Sequence, residues 1–380
     1  MARAIGEQAH RLNTNTRYLH PLVLDYAERL TGLLPDPLEV CYLVNSGSEA
    51  NELALRMART VTGRRGVLVL EHAYHGNTGA MIDISPYKHG RRGGSGAPDW
   101  VRAAPAPDLF RGRHRAGPAF GARSRDAEEA ACDRYLADLV VEADALAAGP
   151  GLAAFFTESI MSCAGQIEPP PGFLRGAAGI VRERGGLWIA DEVQVGFGRV
   201  GEDWWAFARD GVVPDIVTLG KPIGNGHPLA AVVTTRAVAD AFANGMEFFS
   251  TFGGNPVSAA AGLAVLDVLE GDGLPAHAAR VGARLKEQLV ALARRHPRIG
   301  DVRGRGLFLG LELVREGGAP EPDAALAKAL VEHARARGVL LSTDGPDENV
   351  IKIKPPLVFG DDEAALLIAV LRSGLEALAP

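Results

Sequence analysis

The stretch "DIVTLGKPIGNGHPLAAVVTT" (residues 215–235) has a single lysine, Lys221, between an apolar run and a turn rich in glycine. The runs on either side, 215–220 and 229–235, are short and apolar, which is typical of strands buried on both faces of a sheet. Lysine occupies only six of the 40 basic positions in the chain, and arginine occupies the others. Because arginine keeps its proton whereas a desolvated lysine can become a neutral nucleophile, an amine at this strand end indicates covalent chemistry.

Similar apolar runs recur before this stretch and alternate with patterns of helical spacing. The strand-like runs are 39–45, 66–72, 152–159 and 186–193, and the helical patterns are 22–34, 48–61 and 130–148. This alternation predicts an α/β fold with a large domain over residues 25–255 that is built on a mostly parallel sheet. From residue 256 the pattern changes to long helices with short strands at 338–341 and 350–353, which predicts a smaller α+β C-terminal domain (256–380).

The composition limits the classes of function. With 380 residues, 47% of them apolar and 23% charged, the chain is an ordinary globular protein, and no apolar stretch approaches the roughly 20 residues that span a bilayer. A net charge of −6 without blocks of like charge argues against nucleic acid or an anionic membrane as a partner. Three separated cysteines (Cys41, Cys132 and Cys163) fit neither a disulfide framework nor a zinc site, and the first residues have no export signal. We therefore expect a cytoplasmic protein without a bound metal.

Two further strand ends carry groups suited to a charged ligand. The motif "WIADEVQVGFGR" (188–199) ends a buried run with Asp191, although an acidic residue is also common at a solvated strand end. The motif "LVNSGSEANELAL" (43–55) leads from a strand into a helix whose first N–H groups can bind phosphate. A serine of this turn, Ser46 or Ser48, can equally serve only as the helix N-cap.

A third strand is followed by an aromatic residue, Tyr74, in "EHAYHGNT" (71–78). Together these groups meet the needs of pyridoxal phosphate, which takes a lysine for its aldehyde, a carboxylate for its ring nitrogen, a turn for its phosphate and an aromatic contact for its ring. Open α/β sheets bind ligands where the carboxyl ends of their strands meet. We therefore predict that Lys221, Asp191, Tyr74 and the turn 46–48 surround this cofactor.

In these motifs the chain resembles the class III pyridoxal-phosphate-dependent aminotransferases over nearly its whole length. The matching segments occur in the family's order and are "NSGSEANE" (45–52), "HAYHG" (72–76), "ADEVQVGFGR" (190–199), "GKPIGNG" (220–226), "STFGGNP" (250–256) and "IKIKPPL" (351–357). The resemblance implies fold type I of the pyridoxal-phosphate-dependent transferases and a homodimer with shared active sites. It also implies that residues 1–24 are the remainder of a longer N-terminal segment, since the chain begins inside a helical pattern, "AIGEQAHRL" (4–12).

The resemblance further implies a role for each residue of the expected site. Lys221 holds the cofactor and moves a proton, and Asp191 pairs with the ring nitrogen. Val193 and Tyr74 contact the two faces of the ring, and Gln194 binds the ring oxygen. The remaining cofactor-binding residues are Glu158, then Ser46, Gly47 and Ser48 at the phosphate, and Thr251 of the partner subunit at the same phosphate.

Two departures from the family pattern bear on the reaction. Lys352 stands where an arginine normally binds the α-carboxylate of the substrate, and Cys163 replaces the glutamate that pairs with that arginine. A lysine cannot offer a carboxylate the two-pronged contact of arginine. These departures, with "LNTNTRYLH" (12–20) and "SPYKHG" (85–90), resemble the phospholyase branch of the family, which acts on phosphoethanolamine or 5-phosphohydroxylysine.

The resemblance therefore favours a phospholyase that eliminates phosphate and ammonia from a small amino-phosphate and leaves an aldehyde. An ω-type aminotransferase with a 2-oxo acid or aldehyde as acceptor is the alternative, and a cofactor-binding protein without turnover is the third interpretation. For the substrate phosphate we predict Arg17, because arginine binds phosphate with a fork of donors and the resemblance places 12–20 at the mouth of the site, with Lys352 as second candidate. A solvated arginine before a helix is the other interpretation of Arg17.

Overall fold

The apolar runs form a seven-stranded sheet in the computed structural model, which describes residues 1–121, 123–201, 203–316 and 320–378. Its strands are β1 (Leu38–Val44), β2 (Gly66–Leu70), β3 (Val101–Ala104), β4 (Leu152–Glu158), β5 (Leu187–Asp191), β6 (Ile216–Leu219) and β7 (Ala230–Thr235). Their order across the sheet is β1-β7-β6-β5-β4-β2-β3. All neighbours pair in parallel except β7, which runs antiparallel to both β6 and β1. The mostly parallel sheet predicted from the sequence is confirmed.

The carboxyl ends of several strands meet at one edge of this sheet. The register pairs Glu158 with Asp191 and Asp191 with Thr218, so β4, β5 and β6 end side by side. Beyond β7, Val44 pairs with Ala230, which brings the end of β1 to the same edge. The residues that directly follow these strands therefore lie close together, at the position where open α/β sheets bind ligands.

Helices cover both faces of the large sheet. In this part of the chain they are α1 (Ala2–Arg11), α2 (Pro21–Thr31), α3 (Gly47–Thr62), α4 (Gly79–Asp83), α5 (Pro86–His89), α6 (Arg125–Ala148), α7 (Phe173–Glu183) and α8 (Arg236–Phe242). Leu68, Phe155 and Trp188 face a core shared with α6 and α7, whereas Phe156 and Ile189 face a core shared with α3. Burial on both faces, which stabilises by about 1.5–3 kcal/mol per large apolar side chain, explains why the strand sequences are continuously apolar.

A second, antiparallel sheet lies in the C-terminal part of the chain. Its strands among the described residues are β8 (Ile299–Arg305), β9 (Phe308–Leu313), β10 (Ser342–Asp344) and β11 (Val350–Ile353), in the order β10-β11-β9-β8. The helices of this part are α9 (Pro256–Gly271), α10 (Leu274–Ala293), α11 (Ala324–Arg335) and α12 (Asp361–Leu378). Leu309 and Ile351 of the sheet pack with Leu285 of α10, Leu330 of α11 and Leu371 of α12, which gives the smaller sheet a core of its own.

Two local features differ from the sequence prediction. The strand predicted at 338–341 is wrong, because Gly338 adopts a φ of +78° just after α11 and pairing with β11 begins only at Ser342. The sequence does not predict β3, whose four residues follow a segment rich in glycine and proline and become a strand by pairing with β2. Both cases show that edge strands depend on pairing with a neighbour more than on their own pattern.

The predicted domain limits at residues 24 and 255 stay predictions. Helices α1 and α2 contact α9, so the N-terminal helices lie against the segment that joins the two sheets. Within the described ranges, no helix is long and apolar enough to cross a membrane. The same residues contain no cluster of three histidine, cysteine or acidic side chains arranged to hold a metal ion.

Candidate active site

Lys221 directly follows β6, at the edge where the strands end. It begins a short 3-10 turn (Lys221–Ile223) with a φ of +36°, a backbone conformation that costs energy for any residue except glycine. Gly220 precedes it, and a Cβ there would lie 3.2 Å from a methyl of Val193 and 3.4 Å from the backbone of Gly47. Gly220 is thus packed tightly against Val193 and Gly47, whereas Lys221 is exposed to solvent.

Asp191 ends β5, next to β6, and is 4% exposed. One carboxylate oxygen accepts hydrogen bonds from the side-chain amide of Asn51 at 2.8 Å and from Nδ1 of His75 at 2.9 Å. The other oxygen accepts from the backbone N–H of Val193 at 3.1 Å. Three donors fix the direction of the carboxylate.

Asn51 and His75 are the residues of this group for which the sequence analysis predicts no role. Asn51 lies on α3, where its amide also donates to the backbone oxygen of His75 at 2.7 Å. A signal is present in the sequence, because both residues belong to the motifs that contain the phosphate turn and Tyr74. The direction of their side chains toward Asp191, however, follows only from the fold, in which α3 and the loop after β2 both contact the end of β5.

The phosphate-binding turn lies between β1 and α3. Ser46 is the N-cap of α3 and accepts from the N–H of Glu49 at 3.2 Å. This leaves the first N–H groups of the helix, from Gly47 onward, available to an anion. A Cβ on Gly47 would lie 2.7 Å from Val193, so glycine is required for this approach. The turn therefore fits a phosphate group beside the side chain of Val193.

Ser48 faces the loop after β2. Its hydroxyl lies 3.0 Å from the side-chain oxygen of Asn77 and 3.2 Å from the N–H of Asn77. Gly76, with a φ of +140°, permits this contact, since a Cβ there would lie 2.7 Å from the hydroxyl. The loop that carries Tyr74 is thereby held against the phosphate-binding turn.

Tyr74, Glu158 and Gln194 are linked through Ser162. The N–H of Tyr74 donates to Glu158 at 3.4 Å, and the backbone N–H of Ser162 donates to the same carboxylate at 2.9 Å, with a further short contact from the Ser162 hydroxyl. Gln194 donates to that hydroxyl at 2.7 Å. Burial raises the pKa of Glu158. The structure thus brings these three predicted residues together with Asp191 and Lys221.

Lys352 is accompanied by a second lysine for which the sequence analysis predicts no role. The amine of Lys354 lies 3.0 Å from the amide oxygen of Gln194, and both lysines contact Asp344, at 3.1 Å from Lys352 and 3.7 Å from Lys354. The sequence feature that could have indicated Lys354 is its spacing of two residues from Lys352. In an extended segment this spacing puts both side chains on one face. We refer to Lys352 and Lys354 as the lysine pair.

The segments that carry Arg17 and Thr251 lie against each other, and both residues are exposed. The guanidinium of Arg17 stacks on the ring of Phe249 at 4.6 Å, and Thr251 is exposed in the turn that follows. The N-terminal segment is held there by a hydrogen bond from the N–H of Val257 to Asn13 at 3.3 Å. If Arg17 or Thr251 binds a phosphate group of the cofactor or the substrate, we expect it to do so in the active site of a partner subunit.

The fold and this edge of the sheet define a pyridoxal-phosphate-dependent enzyme, since the exposed lysine, the fixed carboxylate and the helix N-terminus fit the three reactive parts of that cofactor. The model of the family "Aminotransferase class-III" matches residues 1–375, and the chain belongs to this family. Its cofactor is pyridoxal phosphate, as the sequence predicts.

Curated relatives carry the names of two activities. "Alanine--glyoxylate aminotransferase 2-like" of Drosophila melanogaster is 44% identical over 384 residues, which cover 100% of this chain and 76% of the relative. "Ethanolamine-phosphate phospho-lyase homolog 1" of Caenorhabditis elegans is 41% identical over 375 residues, which cover 98% of this chain and 80% of the relative. Membership of the family is thus compatible with either a lyase or a transferase.

Solved structures confirm fold type I. A phospholyase from Arthrobacter, in complex with phosphoethanolamine, is 42% identical with a TM-score of 0.92, over 99% of this chain and 86% of the other. An amine transaminase from an uncultivated Pseudomonas species, in its PLP-bound form, is 31% identical with a TM-score of 0.86, over 99% and 86% of the two chains. The resemblance to the phospholyase branch, stated from the sequence motifs, agrees with the first of these similarities.

Proposed function

We propose that this chain is a phospholyase that eliminates phosphate and ammonia from a small amino-phosphate such as phosphoethanolamine. The observation that carries the proposal is the altered carboxylate site, in which Lys352 and Cys163 replace the family's arginine and glutamate and Lys352 is paired with Asp344 at 3.1 Å. The similarity to the Arthrobacter phospholyase and to the C. elegans relative supports it. A lyase uses no amino acceptor, so its reaction does not require the arginine that binds the α-carboxylate in other members of the family.

The residues at the strand ends carry the chemistry. When bound, pyridoxal phosphate supplies an electron sink for the negative charge that develops on the substrate carbon bearing the amine. Lys221 attaches to the cofactor's aldehyde in the resting enzyme and removes a proton from that carbon during turnover. Asp191, whose carboxylate is oriented by three hydrogen-bond donors, would pair with the ring nitrogen of the cofactor. This assignment requires both residues at adjoining strand ends, as β5 and β6 place them.

The other residues hold the cofactor in position. Val193, packed against the turn of Gly47, supports one face of the ring and Tyr74 covers the other, while Gln194 donates to the ring oxygen. The remaining contacts that we propose are Glu158 beside the ring, and Ser46, Gly47 and Ser48 at the phosphate. Thr251 is exposed, and we propose that it reaches the same phosphate in the partner subunit of a homodimer. The cytoplasmic location expected from the composition stays a prediction.

The reaction balances without an oxidant or reductant. The C–H bond at the carbon that bears the amine and the C–O bond to the phosphate break. The C–H electron pair forms a C=C bond, the C–O electron pair leaves with the phosphate, and a proton later returns to the carbon that carried the phosphate. Water supplies the aldehyde oxygen and the amine departs as ammonia. Phosphoethanolamine and one water thus give acetaldehyde, ammonia and phosphate.

The test measures phosphate, ammonium and aldehyde released by the holoenzyme from phosphoethanolamine, 5-phosphohydroxylysine and the corresponding unphosphorylated amines. We expect the three products in equal amounts from at least one amino-phosphate, and no phosphate with Lys221→Ala. Ammonium or aldehyde without matching phosphate would contradict the proposal.

An aminotransferase is the second candidate, favoured by the 44% identity to the Drosophila relative. With an amine donor and pyruvate, this activity forms alanine and releases neither phosphate nor ammonium. A phospholyase forms no alanine under these conditions. The same protein sample therefore distinguishes the two functions.

A further inference from the structure

The lysine pair lies beside the candidate cofactor site without belonging to it. We propose that the pair binds the phosphate group of the substrate, with Lys354 making the principal contact. This inference rests on the proposed function. It retains Lys352, one of the two candidates predicted from the sequence, but gives the principal contact to Lys354, for which the sequence analysis predicts no role, and none to Arg17.

The two amines of the pair outnumber the carboxylates that contact them. Both amines share one carboxylate, Asp344, at 3.1 Å from Lys352 and 3.7 Å from Lys354. Asp344 is held in place by a hydrogen bond of 2.8 Å from the side-chain amide of Gln166, so it cannot turn to serve one lysine alone. Two amines therefore share one carboxylate within 4 Å, an arrangement that favours the binding of an anionic ligand.

The other titratable groups that act on Lys354 are Cys163 and Glu158. Burial raises the pKa of the Cys163 thiol to about 11, so the thiol is neutral. Burial raises the pKa of Glu158, and its carboxylate accepts from the backbone N–H of Ser162 at 2.9 Å. The amine of Lys354 also lies 4.6 Å from the centre of the Phe308 ring, and the face of an aromatic ring favours the cationic form of the amine.

Gln194 connects the pair to the reacting centre. Its amide oxygen accepts from Lys354 at 3.0 Å, and Gln194 is the residue proposed at the cofactor's ring oxygen. Gln194, Lys352 and Lys354 line one cavity of about 620 Å³, a size that suits a small ligand. Glu363 also lines this cavity, but its carboxylate accepts from the N–H of Gly360 at 2.9 Å. The open space next to the cofactor site is thus bordered by two amines.

The chemistry of the pair fits phosphate better than carboxylate. A carboxylate is recognised best by the planar fork of an arginine, whereas a compact phosphate dianion can accept from several ammonium donors at once. Burial lowers the pKa of Lys354 to about 8, and an adjacent dianion favours its charged form. The substrate's phosphate would thereby supply the counter-charge that the buried amine lacks.

The experiment compares the holoenzyme with Lys354→Met, Lys352→Met and Lys354→Arg, and uses Lys328→Met as the control. Lys328 is an exposed lysine on α11 whose nearest carboxylate, Glu348, is 3.9 Å away. We expect Lys354→Met to lower kcat/KM for phosphoethanolamine by about 10- to 150-fold, as for the loss of a charge-assisted hydrogen bond. Inorganic phosphate should inhibit the wild type competitively, and its Ki should rise with the same variant.

Three further readouts separate the phosphate contact from a structural role. The visible absorbance of the bound cofactor should be unchanged, ethanolamine should perturb that absorbance with the same Kd, and Lys354→Arg should retain more activity than Lys354→Met. Equal weakening of ethanolamine and phosphoethanolamine would overturn the inference, because Lys354 would then only position Gln194. Non-competitive inhibition by inorganic phosphate would also overturn it, since the anion would bind outside the substrate site.

The inference and the proposed function can fail separately. If the wild type releases phosphate and Lys354→Met does so equally well, the function stands and the phosphate site lies elsewhere. If the wild type forms alanine from pyruvate and releases no phosphate from any amino-phosphate, the proposed function is wrong, and the substrate-phosphate role of Lys354 is wrong with it.

Discussion

The two halves of the candidate site differ in how completely their charges are satisfied. Asp191, on the large sheet, is 4% exposed and accepts three hydrogen bonds. The lysine pair, at the small sheet, shares the single carboxylate of Asp344. A fully satisfied carboxylate suits a cofactor that stays bound, whereas two amines that share one carboxylate suit a substrate that comes and goes. The difference supports the proposals that residues at the large sheet carry out the chemistry and that the lysine pair binds the substrate.

The largest effect is expected from Lys221→Ala, which removes the amine at the end of β6. Phosphate release should fall by at least about 10³-fold, because the variant loses both the attachment of the cofactor and the proton transfer. The fold should persist, since the side chain is exposed at the strand end. A discontinuous phosphate assay measures the loss of activity. The thermal unfolding midpoints of the two apo proteins show whether the fold persists.

Chemical labelling provides an independent check on Lys221. Borohydride reduction of the wild-type holoenzyme should attach the cofactor to the peptide that contains residue 221. A label on any of the other five lysines would show that Lys221 does not hold the cofactor. A label on Lys352 or Lys354 would also contradict the proposal that the lysine pair binds the substrate.

A second change tests the large sheet without removing the lysine. Asp191→Asn should retain the cofactor and lower kcat by about 10²- to 10³-fold, because a neutral amide does not hold the ring nitrogen protonated. KM for phosphoethanolamine should change much less, since the lysine pair is intact. A loss of activity below tenfold would contradict the role of Asp191.

Most of the large-sheet half could be predicted from the sequence, whereas in the small-sheet half the sequence predicts Lys352 but neither Lys354 nor the contacts around it. Lys221, Asp191 and the turn 46–48 each follow a continuous apolar run, and parallel strands bring their ends to one edge. The arrangement around Lys354 depends on contacts between distant segments, from Gln166 through Asp344 to Gln194. Local pattern carries no information on such contacts. For the same reason the short strand β10, which carries Asp344, is displaced from its predicted position.

The pH dependence tests the lysine pair. Burial lowers the pKa of Lys354 to about 8, so the ammonium is present below that pH and is lost as the pH rises through it. We expect kcat/KM for phosphoethanolamine to decrease above about pH 8. Lys354→Arg should remove this alkaline decrease, because a guanidinium stays charged. An identical decrease in both proteins would assign it to another group, and the response of the cofactor absorbance to ethanolamine serves as the pH control.

The smallest effect is expected from Arg17→Ala, which tests the candidate predicted from the sequence against the lysine pair. The guanidinium of Arg17 is exposed and stacked on Phe249, so solvent screens its charge and an ionic contact there contributes about 0.2–1 kcal/mol. The variant should therefore lower kcat/KM for phosphoethanolamine by no more than about fivefold, with unchanged cofactor occupancy and an unchanged Ki for inorganic phosphate. Arg17→Lys is the matched control, since it keeps the charge and loses the planar stacking. If Arg17→Ala instead matches the effect of Lys354→Met on phosphoethanolamine and leaves ethanolamine unaffected, the substrate phosphate is bound by the N-terminal segment, and the lysine pair is not its principal contact.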